Sequence, residues 1–213
     1  MSGLTISPSI LSADFSRIAE EIEALTLAGA DAIHYDVMDN HFVPNLTFGF
    51  KFIEDAMKNC RLPADVHLMI ERPEESLDRW LAPKPASLTV HLEACRDIEN
   101  AIHRIHKAGV RAALSIKPGT PAVLLKPYLD MLDSVLIMLV EPGFGGQAML
   151  PETVEKIAEL RGMAPDIEIQ VDGGVKRDNY KTLAALGANN LVIGSGIFAE
   201  SDYAAAIRAF RAA

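Results

Sequence analysis

The sequence predicts a single (β/α)8 barrel over residues 1–213, and three observations point to it. Eight short runs rich in β-branched residues alternate with amphipathic segments, the order expected when strand–helix units build a parallel sheet. A helical pattern runs into glycine and then a strand at Gly29, Gly109 and Gly187, and glycine just past a helix is the usual left-handed stop. No G-x-G-x-x-G follows the first strand and no linker breaks the composition, which weighs against an open doubly wound sheet or a second domain. At roughly 27 residues per unit, the chain lies near the lower end for such barrels.

In order, strands are expected over residues 4–9, 32–36, 64–68, 87–91, 111–116, 134–138, 168–172 and 190–193. Between the first two, residues 14–28 place Phe15, Ile18, Ile22 and Leu25 at spacings of three and four behind Asp14, a capping residue. Residues 97–108 carry Ile98, Ile102 and Ile105, and residues 152–161 carry Val154, Ile157 and Leu160. The stretches 177–186 and 202–212 follow the same pattern.

Hydrophobic residues at 49% and charged residues at 23% are ordinary for a globular protein and exclude a disordered or low-complexity chain. A formal net charge of -9 lacks the basic footprint of a nucleic-acid binder. That field repels an anionic substrate, which then needs a local trap of backbone N–H groups or a metal. Cys60 and Cys95 form no C-x-x-C pair or zinc spacing, which fits a reducing cytoplasm. The first residues lack a signal-peptide pattern, and no run approaches the ~20 apolar residues of a membrane span.

The chemistry gathers at strand ends. His34 and Asp36 sit two apart on one candidate strand, so they share a face that Tyr35 does not. His67 closes the next strand and Asp172 the seventh. In a parallel barrel the strand C-termini open on one mouth, where the four can converge. Two imidazoles and two carboxylates suit one divalent ion per subunit: Zn2+, Fe2+, Mn2+ or Co2+. Taken singly, a strand-end histidine is commonly structural and an aspartate before glycine commonly a turn residue; their joint placement is the signal.

Gly143, Phe144, Gly145 and Gly146 follow the sixth strand, Gly173 and Gly174 the seventh, and Gly194 and Ser195 the eighth. Such segments are three tight turns, or they expose N–H groups to a phosphate. Met38, Met69 and Met138 lie at strand ends, as core filler or as the roof of a dry mouth. His41 reads as a loop residue, His91 as structural, and His103 and His106 as solvated. Lys117 ends the fifth strand, where a Schiff-base aldolase wants a lysine.

Six segments, ISPSILSADF at 6–15, HYDVMDNHFVPN at 34–45, DVHLM at 65–69, LVEPGFGGQ at 139–147, VDGGV at 171–175 and VIGSGIF at 192–198, together resemble the ribulose-phosphate 3-epimerase family across nearly the whole chain. The resemblance implies metal-dependent inversion at C3 between D-ribulose 5-phosphate and D-xylulose 5-phosphate, in the pentose phosphate pathway. It makes His34, Asp36, His67 and Asp172 the metal ligands, with Asp36 and Asp172 also the acid/base pair, expected to titrate with split apparent pKa values. It makes Ser9 and His67 substrate-binding, the three glycine loops the phosphate contacts, and the methionines the site roof. It also implies a small sugar-phosphate ligand; separately, the exposed helices of such a barrel often pair, so a homo-oligomer, dimer or hexamer, is expected. D-allulose-6-phosphate 3-epimerase, acting on one more carbon, is the alternative, although Ser12-Ala13-Asp14 is closer to the ribulose-phosphate group. A non-catalytic sugar-phosphate binder on the same barrel has no need of two opposed carboxylates. Asn40 stands where many members have Gly, Glu141 where many have Asn, Lys117 and Gly119 where Asn and Ala are common, and Ala148-Met149 replaces a frequent Phe-containing continuation.

Overall fold

The structure, a computed structural model, describes residues 3–211. Eight strands, β1 (Thr5–Pro8), β2 (Ile33–Met38), β3 (Ala64–Met69), β4 (Ser87–His91), β5 (Arg111–Ile116), β6 (Ser134–Met138), β7 (Glu168–Asp172) and β8 (Asn190–Ile193), pair in parallel in the order β1-β8-β7-β6-β5-β4-β3-β2. Between β1 and β2 the ring closes through a parallel bridge from Ser9 to His34. Asp31 reinforces that seam: its N–H donates to the Ile6 carbonyl at 3.0 Å, and its Oδ2 accepts the Ile6 N–H at 2.8 Å. The helices are α1 (Ile18–Leu27), α2 (Phe50–Asn59), α3 (Leu77–Leu81), α4 (Ile98–Lys107), α5 (Glu155–Met163), α6 (Tyr180–Leu186), α7 (Ser195–Phe198) and α8 (Tyr203–Arg211). The expected (β/α)8 barrel is the fold observed.

The last five strands have the expected bounds. β2 and β3 run on to Met38 and Met69, so Asp36 and His67 lie within their strands and not at the tips. The stretch 14–28 divides into a 3-10 turn (Phe15–Arg17), capped by Asp14 through its bond from the Ser16 N–H, and then α1. Gly29, Gly109 and Gly187 follow their helices with φ of 84°, 76° and 119°. The expected last helix is observed as α8, and Ala212 lies outside the described residues, as do Met1, Ser2 and Ala213. Three helices add to the expected set: α2, α3 and α7. A 3-10 stretch, Ala122–Met131, holds the place of a helix between β5 and β6. Pro127 inside it withholds a backbone donor.

The two-residue period sorts the strands into two faces. Outward, Tyr35, Val66, Leu88, Leu114, Ile137 and Val171 are fully buried and belong to one continuous core with helix residues such as Leu25, Ile105 and Phe210. Inward, the same strands carry His34, Asp36, Asp65, His67, Ser87, Thr89, His91, Gln170 and Asn190, all buried. These polar groups bond one another across the lumen. Ser7 Oγ donates to Asn190 Oδ1 at 2.9 Å, Ser87 Oγ to Asp65 Oδ1 at 2.6 Å, and Gln170 Nε2 to Asp65 Oδ2 at 2.6 Å.

Candidate active site

One register assembles most of the site. In β2 and β3, His34 lies beside Asp65 and Asp36 beside His67. β7, seated between β6 and β8, brings Asp172 beside Met138 and Val192. His34, Asp36, His67 and Asp172 each present a ligand atom within 4.8 Å of the others, so the four residues expected to converge do so at one mouth.

Asp36 stands at the centre. Its Oδ2 accepts the Ser9 hydroxyl at 2.5 Å, while its Oδ1 lies 3.2 Å from His67 Nδ1 and 3.3 Å from His34 Nε2. His34 Nδ1 is 2.7 Å from Asp65 Oδ2; the carboxylate only accepts, so Nδ1 carries the hydrogen. His34 Nε2 is buried without a directed hydrogen bond, which is costly unless something else serves it. Burial opposes charge on His34, but Asp36 and Asp65 outweigh it and raise its pKa well above the usual imidazole value. A proton held there by surrounding acids marks a place for positive charge. The orphaned Nε2, His67 Nδ1 and the two carboxylates fit a divalent ion in its stead.

The two candidate acid/base carboxyls differ in their surroundings. Burial pushes Asp36 upward, but the His34 charge 3.3 Å away and the His67 contact at 3.2 Å prevail and hold it well below the carboxylate range. Asp172 is pushed up to about 7, first by burial and then by the Asp36 charge. Burial lowers His67 and takes His91 down to about 4, so both rings are neutral at pH 7.

Above these groups opens a pocket lined by Ser9, Asp36, Asp172, the three methionines and the glycine loops. Gly173 has φ +110°, and a Cβ there would stand 2.5 Å from Val140 Cγ2, so only glycine turns the chain directly after Asp172. Asn45 Nδ2 donates to the Gly143 carbonyl at 2.7 Å, tying the loop after β2 to the one after β6. Phe144, at the tip of that loop, is 56% exposed. Met38 and Met69 pack together with Val43, and Met138 packs with Leu136 and Val140; the methionines are core filler and pocket wall at once.

The remaining candidates fall elsewhere. His41 is an exposed loop residue with Nδ1 on the Asp39 carbonyl at 2.8 Å. His106 pairs with Asp133 at 2.9 Å on the surface. Lys117 Nζ lies 3.7 Å over the Phe42 ring and 3.3 Å from its carbonyl, away from the pocket lining, so a Schiff-base aldolase loses its lysine. His91 is buried inside the barrel with Nε2 2.8 Å from His67 Nε2. Asn40 adopts φ 59°, a left-handed conformation that Asn tolerates nearly as Gly does. Asp65, Ser87, Gln170 and Glu93 support the site and are not among the sequence candidates. Asp65 carries a usable signal, because Asp65 and His67 share a face two residues apart as His34 and Asp36 do.

Residues 5–198 match the model of the ribulose-phosphate 3 epimerase family. Curated ribulose-phosphate 3-epimerases match at similar strength. That of Bacillus subtilis is 41% identical over 98% of this chain and 98% of its own length, and that of Escherichia coli K12 is 42% identical over 93% and 90%. Among solved structures, KGPDC from Streptococcus mutans superposes with TM-score 0.72 at 12% identity, covering 98% of this chain and 96% of that one. Mycobacterium tuberculosis tryptophan synthase does so with TM-score 0.73 at 13% identity, covering 99% and 94%. At those identities the structures speak for the barrel alone. The family match and the full-length relatives go further: the chain belongs to the ribulose-phosphate 3-epimerase family of isomerases.

Proposed function

We propose that the protein inverts C3 of a 2-ketopentose 5-phosphate, interconverting D-ribulose 5-phosphate and D-xylulose 5-phosphate with the help of one divalent ion held by His34, Asp36, His67 and Asp172. The relatives' names supply the substrate class. The observation that carries the mechanism is the pair of carboxyls, Asp36 from β2 and Asp172 from β7, that meet in one pocket in unequal surroundings. Inversion needs a base on one face of a planar intermediate and an acid on the other, and split environments assign the two roles at neutral pH.

The C3 hydrogen is acidic because charge left on C3 spreads to the C2 carbonyl as an enediolate. Asp36 takes that proton, and Asp172, three places round the ring by way of β1 and β8, delivers another to the opposite face; the reverse reaction exchanges the roles. Each positioned transfer is worth about 10²–10⁴-fold. When bound, the ion supplies Lewis acidity to the negative charge developing on the sugar oxygens, typically several kcal/mol; Zn2+, Fe2+, Mn2+ and Co2+ all suit these donors.

Backbone N–H groups of Gly143, Phe144, Gly145, Gly146, Gly173, Gly174, Gly194 and Ser195 hold the phosphate, fixing C3 between the acids. Ser9 and His67 orient Asp36 and the sugar. Met38, Met69 and Met138, all at most 3% exposed, keep water from the intermediate. Leu27 and Leu46, 81% and 70% exposed, support a homo-oligomer, dimer or hexamer, and the two free cysteines support a cytoplasmic setting.

Incubation with ribulose 5-phosphate in D2O tests the reading. Metal-loaded protein is expected to place deuterium at C3 and form xylulose 5-phosphate, and chelator to stop both. Folded, metal-loaded protein that leaves C3 unlabelled overturns it.

A further inference from the structure

We propose that His91 and Glu93 are positioning residues that fix which nitrogen of His67 faces the site. The direction of this relay rests on the metal reading above; its contacts do not. His67 Nδ1 looks toward Asp36 Oδ1 at 3.2 Å, and its Nε2 lies 2.8 Å from His91 Nε2. Two neutral imidazole nitrogens at that distance share one hydrogen, so one ring donates and the other accepts.

The far end of the chain decides the direction. His91 Nδ1 lies 3.3 Å from Glu93 Oε2, and a carboxylate only accepts, so Nδ1 carries the hydrogen and His91 Nε2 has the lone pair. His67 Nε2 must then donate, which leaves the His67 Nδ1 lone pair directed at the site for an ion that would also take Asp36; without an ion, Nδ1–H can donate to Asp36 Oδ1 at 3.2 Å and reverse the chain. The opposite arrangement would set the His91 Nδ1 lone pair against the Glu93 carboxylate. Glu93 is anchored in turn: its Oε1 accepts the Lys117 N–H at 2.7 Å and the Thr120 hydroxyl at 2.5 Å. His34 gets the same orientation directly from Asp65 at 2.7 Å. Each candidate ligand histidine therefore ends on a carboxylate, one directly and one through a second ring, and such a partner is what holds a ligand imidazole in its tautomer and orientation.

Two measurements test the relay. In Zn2+-loaded, 15N-histidine-labelled wild-type protein, long-range 1H–15N spectra are expected to show His91 as the Nδ1–H tautomer, its Nε2 accepting from His67; an Nε2–H tautomer of His91 overturns the proposal. In chelator competition with Zn2+, His91→Phe and Glu93→Leu are expected to lose about 10–100-fold in affinity, with the metal-free melting temperature little changed. Glu93→Gln retains an acceptor oxygen and is expected to recover most of the loss. Affinities of His91→Phe and Glu93→Leu within twofold of wild type overturn the proposal, as does a loss that only follows a fall in melting temperature. Should His91→Phe not fold, the wild-type tautomer decides. Wild-type protein that takes up no metal overturns the metal reading and the relay with it, whereas bound Zn2+ with His91 as the Nε2–H tautomer overturns the relay alone.

Discussion

On the outer face of the strands, Leu88 and Val90 of β4 and Val66 and Leu68 of β3 are sealed against the helices. On the inner face of the same strands, His67 and His91 bond each other beside Asp36 and Asp65. Both faces exclude water, yet they are held by different forces. The outer face gains by removing apolar area, about 1.5–3 kcal/mol for each large side chain. The inner face gathers carboxyls and imidazoles whose charges must be balanced by one another, at a desolvation cost that a paired charge only partly recovers. A strand that alternates strictly can thus separate stability from reactivity with one residue between them.

That separation is open to attack from both sides. The largest expected effect is on the inner face: Asp36→Asn removes the base and a ligand, and kcat is expected to fall by about 10³-fold or more, measured by coupled assay with metal in excess. On the outer face, Leu88→Ala is expected to cost about 3 kcal/mol in urea unfolding, while kcat at 25 °C stays within about threefold. A fall in kcat to match Asp36→Asn would show that the faces are not independent.

Asp172→Asn sharpens the contrast, because it is expected to abolish turnover and stabilise the metal-free fold. The Asp172 carboxyl titrates near 7 when folded against an ordinary 3.8. A raised folded pKa favours folding below 3.8, and that advantage is lost as pH rises through 7, because the ionised form is the one burial and Asp36 oppose. At pH 8, removing the charge is expected to add about 2 kcal/mol in urea unfolding of chelator-treated protein, and at pH 4 the gain is expected to vanish. A variant less stable than wild type at pH 8 would refute this account of the pocket.

The outer face is legible in the sequence because its signal is local. Runs such as Ser134–Met138 and Asn190–Ile193 announce themselves by β-branched content between turn residues, and their bounds hold. The four inner residues are legible for a different reason: strand-end chemistry meets a fold that collects strand ends at one mouth. What stays hidden depends on register or on backbone direction. Asp65 is meaningful only once β3 slides beside β2 to face His34, and His91 only once β4 sets it against His67. Lys117 directly follows β5, where a Schiff-base lysine would stand, yet its side chain folds back over Phe42, a direction that strand position does not encode. α2 carries Phe50, Ile53, Ala56 and Met57 at helical spacing against the core, so its stripe is legible in the sequence, whereas the 3-10 stretch around Pro127 has no helical period to find.

Tyr35 gives the smallest and most pointed test, because it sits between His34 and Asp36 and faces the other way. Its ring is fully buried in the outer layer, and its hydroxyl has no hydrogen-bond partner among the described residues. Burial accordingly raises its pKa. An unpartnered buried hydroxyl is a liability, so Tyr35→Phe keeps the ring packing and sheds the cost. The variant is expected to gain about 0.5–1 kcal/mol in urea unfolding while kcat and metal affinity stay unchanged. Its two neighbours in sequence are the residues whose loss should be most damaging, so a neutral or stabilising result one position away would mark the boundary between the faces at single-residue resolution. A drop in metal affinity instead would mean that the outer layer holds His34 and Asp36 in place through Tyr35, and that packing reaches the chemistry.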